Sequence, residues 1–143
     1  METISEDGKA ITVAIVDDHP IFGRGLVKLM EPMKGIEVVM YKTSCENALE
    51  MLPKLPALPD ILLMDFFFSG MSGRQATEII TKLYPSIKVV AISSGYDEFA
   101  VYDMARAGAV GFLSKIIEPE ELEYAINEIY HKGIRKINVR IPW

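Results

Sequence analysis

Five residues of this chain carry groups that could do chemistry together: Asp17, Asp18, Asp65, Ser93 and Lys115. Each follows a short apolar run, namely residues 11–16 before Asp17, residues 61–64 before Asp65, residues 87–92 before Ser93 and residues 110–113 shortly before Lys115. Unbroken runs of this length suit strands buried on both faces, as in a parallel sheet covered by helices. The polar residues after them then stand at the carboxyl edge of the sheet, where open α/β folds bind ligands. If the first and third strands are neighbours, three carboxylates converge there, and such a cluster repels itself unless a hard cation or a basic side chain joins it. All-oxygen ligation favours Mg²⁺ or Mn²⁺. His19 and His131 are far apart in the chain and neither belongs to a metal motif, so zinc is not expected. Ser93 adds a hydroxyl, Lys115 a positive charge, and the backbone N–H groups of Phe66, Phe67, Ser94 and Gly95 are candidates for an oxyanion cradle. Carboxylate, metal, hydroxyl and ammonium together suit phosphoryl transfer onto Asp65 as nucleophile, a reaction that needs positioning and charge neutralisation.

Taken singly, each residue has a plainer explanation. A strand-end Asp is often a helix cap, a lone Lys is usually a solvated surface group, and the Phe66-Phe67-Phe68 run could be core. The functional case rests on four strand ends carrying complementary groups. Three consecutive aromatics cannot all point inward from one strand, so at least one is expected on the loop, shielding the site or meeting a partner.

The elements that must hold these groups follow in order. After the first strand, Pro20 opens a helix carrying Phe22, Leu26, Leu29, Met30 and Met33 at helical spacing, with Pro32 near its end. A β-like segment covers 36–41. Ser44 is the expected N-cap of a second helix reaching about Leu52, with Ala48, Leu49 and Leu52 inward. Pro53, Pro56 and Pro59 interrupt the chain before the strand that ends at Asp65, and Ser69-Gly70-Met71-Ser72-Gly73 is turn chemistry. A third helix is expected over 73–84, with Ala76, Ile79, Ile80 and Leu83 on its inner face, and a fourth over 97–107, with Phe99, Val101, Tyr102, Met104 and Ala105 spread around it. Pro119 opens the last helix, Glu120 and Glu121 suit its amino end, and Leu122, Ala125, Ile126 and Ile129 face inward before Gly133. Five strand–helix units make one domain.

The bulk properties agree. A chain of 143 residues, 50% hydrophobic and 24% charged, can build a full core. The net charge of -5 gives no broad basic surface for nucleic acid. Cys45 is the single cysteine, which excludes an internal disulfide and fits a reducing compartment. Glu2, Glu6 and Asp7 precede any apolar run, unlike a signal peptide, and no uncharged stretch approaches the roughly 20 residues that span a bilayer. The expectation is a cytoplasmic protein with no membrane partner.

These motifs, in this order, resemble the receiver domain of bacterial two-component response regulators, in the subfamily that carries a LuxR-type (NarL/FixJ-like) helix-turn-helix. Val13-Ala14-Ile15-Val16-Asp17-Asp18-His19-Pro20 is similar to that subfamily's opening. Asp65 with Gly70-Met71-Ser72-Gly73 resembles its phosphoacceptor strand and loop, and Val89-Val90-Ala91-Ile92-Ser93 its Ser/Thr strand. Residues 107–115 resemble its lysine region and Glu118-Pro119-Glu120-Glu121-Leu122 its last helix. The likeness covers about residues 11–133.

The resemblance implies a three-layer flavodoxin-like (βα)5 parallel sheet in the order 2-1-3-4-5. It implies that Asp65 accepts phosphate from a histidine kinase or a small phosphodonor. Asp18 and Asp65 would bind Mg²⁺ directly with the carbonyl of Phe67, and Asp17 directly or through water. Lys115 would pair with Asp65 or the phosphoryl group, Ser93 would turn toward the phosphoryl oxygens, and Phe112 would follow inward as an aromatic switch. The surface of the fourth helix, fifth strand and fifth helix would change, with Tyr102, Met104 and Arg106 as its candidates. Phe67 would slow hydrolysis of the acyl phosphate. Residues 1–10 are expected to be a disordered extension, 11–133 the receiver, and 134–143 a tail or the start of a linker. Partners would be the kinase, a second copy on phosphorylation, and DNA only through a helix-turn-helix domain absent from the chain. Two departures are visible: Ser69 stands where the family usually has proline, and Ile116 follows Lys115 where proline is common. A degenerate receiver that only docks, a stand-alone single-domain regulator and a flavodoxin-like flavin carrier are the alternatives; the acidic Asp17-Asp18 pair after the first strand argues against the last.

Overall fold

The computed structural model describes residues 8–66, 68, 70–95 and 97–133. Most of the expected amino-terminal extension, the 134–143 tail, Phe67 and Ser69 lie outside the described residues. Five strands alternate with five helices: β1 (Ile11–Val16), α1 (Pro20–Met30), β2 (Ile36–Lys42), α2 (Cys45–Met51), β3 (Ile61–Asp65), α3 (Gly73–Leu83), β4 (Lys88–Ser93), α4 (Glu98–Ala107), β5 (Gly111–Ser114) and α5 (Pro119–Lys132). The strands form one sheet in the order β2-β1-β3-β4-β5, and every neighbouring pair is parallel. This is the expected three-layer flavodoxin-like arrangement.

The period of two along each strand sorts the core into two halves. Ala14, Val16, Leu62, Met64, Val89, Ala91 and Phe112 pack with residues of α2, α3 and α4. Ile11, Val13, Ile15, Ile61, Leu63, Val90, Ile92 and Leu113 pack with residues of α1 and α5. The central strand β3 is buried throughout, as its apolar run requires. Registry fixes the carboxyl edge: Val16 lies beside Met64, Asp65 beside Ile92, and Ser93 beside Ser114.

Several local signals act as expected. Ser44 caps α2 by accepting the Asn47 N–H, Ser72 and Gln75 form a capping box on α3, and Gly133 closes α5 in the left-handed region at φ 61°. Pro53 shortens α2, so Leu52 sits in a single 3-10 turn, Leu52–Lys54, while remaining buried. Leu83 is a correction, because it is 63% exposed. One residue on, Tyr84 packs against the core in its place. A step of one residue rotates a side chain by about 100° around the helix, which is enough to exchange them. On α4, Ala100, Val101, Met104 and Ala107 are buried, while Phe99 and Tyr102 face solvent. Met104 therefore belongs to the core and not to the α4 surface for which the sequence made it a candidate.

Candidate functional site

The ends of β1, β3 and β5 bring four charged groups together. Asp17 is the first residue beyond β1, and its side chain is fully buried. Its Oδ1 accepts the His19 backbone N–H at 2.7 Å, and its Oδ2 lies 2.7 Å from Lys115 Nζ. Asp65 closes β3, and its Oδ1 accepts the N–H of Phe66 at 2.8 Å. Its Oδ2 lies 3.5 Å from Lys115 Nζ. Asp18 is more open and reaches the cluster through Oδ1. Lys115 follows β5, is held on that strand's register by its N–H to the Ser93 carbonyl, and has its ammonium 4.6 Å from the centre of the Phe22 ring. That placement adds a cation–π attraction to the ion pairs. Asp17, Asp18, Asp65 and Lys115 are thus assembled as the sequence suggested, with one refinement: the shortest contact of Lys115 is to Asp17, not Asp65.

Three carboxylates this close repel one another, and the single ammonium of Lys115 offsets only one of their charges. Asp17 Oδ2, Asp18 Oδ1 and Asp65 Oδ2 are buried, and their only partners among the described residues are the ion pairs with Lys115 and His19. Burial pushes the Asp65 carboxyl above its ordinary range, and the neighbouring Asp17 charge pushes it further, against the opposing pull of Lys115, the Phe66 N–H and His19. The donor set answers what a divalent ion needs. One ligand atom from each of Asp17, Asp18, His19 and Asp65 lies within 4.8 Å of the others, and the carboxylate charge that Lys115 leaves unbalanced is what a divalent cation would offset.

His19 is the residue that the sequence reading set aside. It is the N-cap of α1, with extended backbone at φ -98° and ψ 96°. Its Nδ1 lies 3.1 Å from Asp17 Oδ1, 3.4 Å from Asp18 Oδ1, 3.5 Å from Asp65 Oδ2 and 3.3 Å from Lys115 Nζ. The available signal was its position directly after two strand-end carboxylates. The sequence showed His19 in no metal motif, and the fold brings it beside the carboxylate cluster.

Ser93 is buried at the end of β4, one position beyond the partner of Asp65, and its Oγ accepts the Gly95 N–H at 3.4 Å. Phe112 lies on β5 in the α2–α3–α4 half of the core and is only 1% exposed. Phe66 and Phe68 both pack partly against that same half, so the aromatic run contributes to the core at two of its three positions. The N–H of Phe66 is occupied by Asp65, which removes it from a free oxyanion cradle in this arrangement.

The loop after Asp65 is tied down from two sides. Glu46 at the start of α2 accepts the Met71 N–H at 2.9 Å, and those hydrogen bonds from backbone N–H groups hold its carboxyl below the ordinary range. Gly73 begins α3 hard against the Asp65 carbonyl, so that any Cβ there would collide with it. Glycine at this position is required by close approach of two backbones. Among the described residues, no helix is long and apolar enough to cross a membrane.

Residues 13–127 match the family model described as the response regulator receiver domain. The chain is 32% identical over 123 residues to the transcriptional regulatory protein DegU of Brevibacillus brevis, covering 86% of this chain and 51% of that protein. It is 30% identical over 131 residues to the response regulator GacA of Pseudomonas aeruginosa, covering 92% of this chain and 60% of that protein. The chain therefore spans about half to three-fifths of the length of these relatives. Among solved structures, a LuxR-family two-component response regulator from Aurantimonas superposes with a TM-score of 0.83 at 28% identity, covering 93% of each chain.

Proposed function

The chain belongs to the response regulator receiver domain family, in its LuxR-type (NarL/FixJ-like) branch, and from that premise we propose that it is a switch thrown by phosphorylation of Asp65. The observation that carries this is the gathering of three carboxylates beside the single ammonium of Lys115 at the end of the central strand. A structural ion pair would leave no such surplus of negative charge.

Asp17, Asp18 and Asp65 would hold Mg²⁺, with the Phe67 carbonyl; the ion, when bound, supplies the positive charge that lets an anionic phosphoryl group approach three carboxylates. The donor is a phosphohistidine of a partner kinase, or a small acyl phosphate. An Asp65 carboxylate oxygen forms the new O–P bond as the P–N bond of phosphohistidine, or the P–O bond of an acyl phosphate, breaks; the electron pair leaves with the imidazole, which takes up a solvent proton, or with the departing carboxylate. Lys115 lies within reach of Asp65 and neutralises charge on the transferred group. Ser93 turns its hydroxyl from Gly95 toward the phosphoryl oxygens. Phe112 is already enclosed, so its part in the switch is to repack against the shifting β4 end instead of entering from solvent. Phosphorylation biases the two states only as far as these contacts differ between them. The exposed α4 residues Tyr102 and Arg106 lie on the face that would report the change. The receiver domain is assigned to residues 11–133 and to the cytoplasm. Its output is transcription through a DNA-binding domain of a longer protein, with pairing of phosphorylated copies as the intermediate step.

The test is incubation with acetyl phosphate, followed by intact mass measurement. One phosphoryl group is expected with Mg²⁺, none after chelation, and none in Asp65→Asn. Labelling that survives Asp65→Asn, or no labelling of the native chain under any divalent condition, would sink the reading and leave a docking module.

A further inference from the structure

Helix α4 meets the rest of the described fold chiefly through α3. Its amino end begins shortly after Ser93, at the sheet edge that carries the phosphoacceptor, and its carboxyl end leads through Gly108 into β5, the strand of Phe112. The two ends therefore lie at opposite edges of the sheet. At the far end, Thr81 of α3 reaches across to α4. Its Oγ1 stands 3.0 Å from the Ala107 carbonyl oxygen, 2.9 Å from that of Thr77 and 3.1 Å from that of Glu78. A hydroxyl has one proton to donate, so the three acceptors compete for it. The Thr77 and Glu78 carbonyls lie inside α3 and already take helical N–H groups. The Ala107 carbonyl is the last of α4, and the final carbonyls of a helix have no partner of their own. The proton therefore does most for the fold on Ala107. Gly108 makes this approach possible: it has φ 121°, and a Cβ there would overlap the Thr81 side chain. The N–H groups of Gly108 and Ala109 turn back to the carbonyls of Ala105 and Met104, closing the end of the helix beside Thr81.

We propose that Thr81 is a positioning residue of the switch, the pin that holds the carboxyl end of α4 on α3 while the amino end, next to Ser93, swings. The proposal rests on the reading of Asp65 as phosphoacceptor and adds which end of α4 stays fixed. A rearrangement at Ser93 reaches α4 through the short connection between β4 and α4. A helix loose at both ends would take up that displacement as drift, whereas a helix pinned at its far end turns it into rotation about the pin. The exposed Phe99 and Tyr102, nearer the free end, then move furthest. The pin also yields without tearing. When rotation stretches the bond to Ala107, the hydroxyl falls back on the Thr77 carbonyl 2.9 Å away and is never left unpaired.

The experiment is amide hydrogen exchange of the full chain, with and without acetyl phosphate and Mg²⁺, on the native protein, Thr81→Val, Thr81→Ala and Thr81→Ser. In the resting state, loss of the hydroxyl is expected to quicken exchange at Gly108 and Ala109 by about three- to tenfold, the worth of one hydrogen bond. Thr81→Val and Thr81→Ala differ in volume and helix propensity, so a result they share belongs to the hydroxyl, and Thr81→Ser is expected to stay close to native. On phosphorylation, the native chain is expected to change at Val101, whose N–H closes the first turn of α4 on Asp97, and not at Gly108 or Ala109. In Thr81→Val and Thr81→Ala both ends are expected to change. Equal protection of Gly108 and Ala109 in all four proteins overturns the proposal, as does a native chain in which the two ends of α4 respond alike to phosphorylation. In a chain that takes no phosphoryl group, the phosphoacceptor reading falls and the swing with it, whereas the resting-state comparison still decides whether Thr81 holds the end of α4.

Discussion

Asp60 and Asp65 bracket the same strand, one immediately before β3 and one at its last position, and the fold treats them in opposite ways. Asp60 Oδ2 accepts the Thr12 N–H at 2.9 Å and the Thr12 hydroxyl at 3.1 Å. Its backbone N–H donates to the Thr12 carbonyl, and its carbonyl accepts the Lys88 N–H, so it stitches the starts of β1, β3 and β4 together. Asp65 has one oxygen on its neighbour's N–H and the other 3.5 Å from Lys115 Nζ, in a cluster with two further carboxylates. The amino edge of the sheet is therefore satisfied and the carboxyl edge is frustrated. The same side chain at the two ends of one strand meets neutral donors at one end and, at the other, two like charges that share a single ammonium.

The largest effect that separates the two ends comes from exchanging a charge for an amide. Asp65→Asn is expected to abolish phosphoryl acceptance in the acetyl phosphate assay and, unusually for a buried substitution, to stabilise the resting fold at neutral pH by about 1 kcal/mol. Denaturant unfolding checks the second half; a loss of stability would show that the cluster is not frustrated. Asp60→Ala is the mirror experiment. It removes the acceptor of two Thr12 donors and is expected to cost roughly 1–3 kcal/mol while leaving phosphoryl acceptance in place. If Asp60→Ala instead removed phosphorylation from a folded chain, the division between the two edges would fail.

Much of this division was legible in the sequence. Apolar runs ending in carboxylate, hydroxyl or ammonium place those groups at one edge of a parallel sheet, and the meeting of the carboxylates asks only that β1 and β3 be neighbours; the full strand order was implied by the family resemblance. What was not legible depends on rotations and distances finer than a pattern. Leu83 and Tyr84 are both apolar enough to serve as the last core position of α3. The choice falls to Tyr84, which can bury its ring while its hydroxyl reaches outward. Met104 and Tyr102 on α4 differ by two residues and end on opposite sides. His19 meets Asp17 and Asp18 within its own segment, and its contact with Asp65 emerges only when β3 lies beside β1. Asp60 stood in view at the head of the central strand, yet its bonds to Thr12 join residues far apart in the chain and leave no local trace. The preference of Lys115 for Asp17 over Asp65 is a matter of less than an ångström.

Mg²⁺ offers a smaller and reversible perturbation of the same comparison. An ion that binds only the folded state stabilises by RT ln(1 + [L]/Kd), about 1.4 kcal/mol at tenfold excess over Kd. That gain is expected in the native chain and in Asp60→Ala, where the carboxyl edge is intact. It is expected to shrink in Asp65→Asn, which lacks one of the three carboxylate charges. Thermal unfolding with and without the ion reads it, and an equal gain in all three proteins would place the ion away from this edge.

Glu46 separates the two variables that Asp60 and Asp65 confound, because it is exposed and yet has a backbone donor. Its carboxyl lies below its ordinary range of 4.5, chiefly through the Met71 N–H and then its own. A carboxyl lowered in the folded state binds a proton less readily there than in the unfolded chain. Its contribution is therefore fully present above about pH 4.5 and is lost as pH falls through the lower folded value. The group is open to solvent, so the effect on global stability is expected to be the smallest of the series, and its visible consequence is local. Glu46 holds the loop that leaves Asp65, at Met71 and beside Gly70. Glu46→Gln keeps a weaker acceptor and removes the charge. Amide hydrogen exchange at Met71 is expected to quicken in Glu46→Gln at neutral pH. After correction for the intrinsic pH dependence of exchange, it is expected to quicken in the native chain as pH drops below 4.5, and to change little with pH in the variant. Were Met71 equally protected in both proteins across that range, the loop would owe its shape to the Ser72–Gln75 cap and Gly73 alone, and partnered charge outside the core would carry no weight beside the contrast between Asp60 and Asp65.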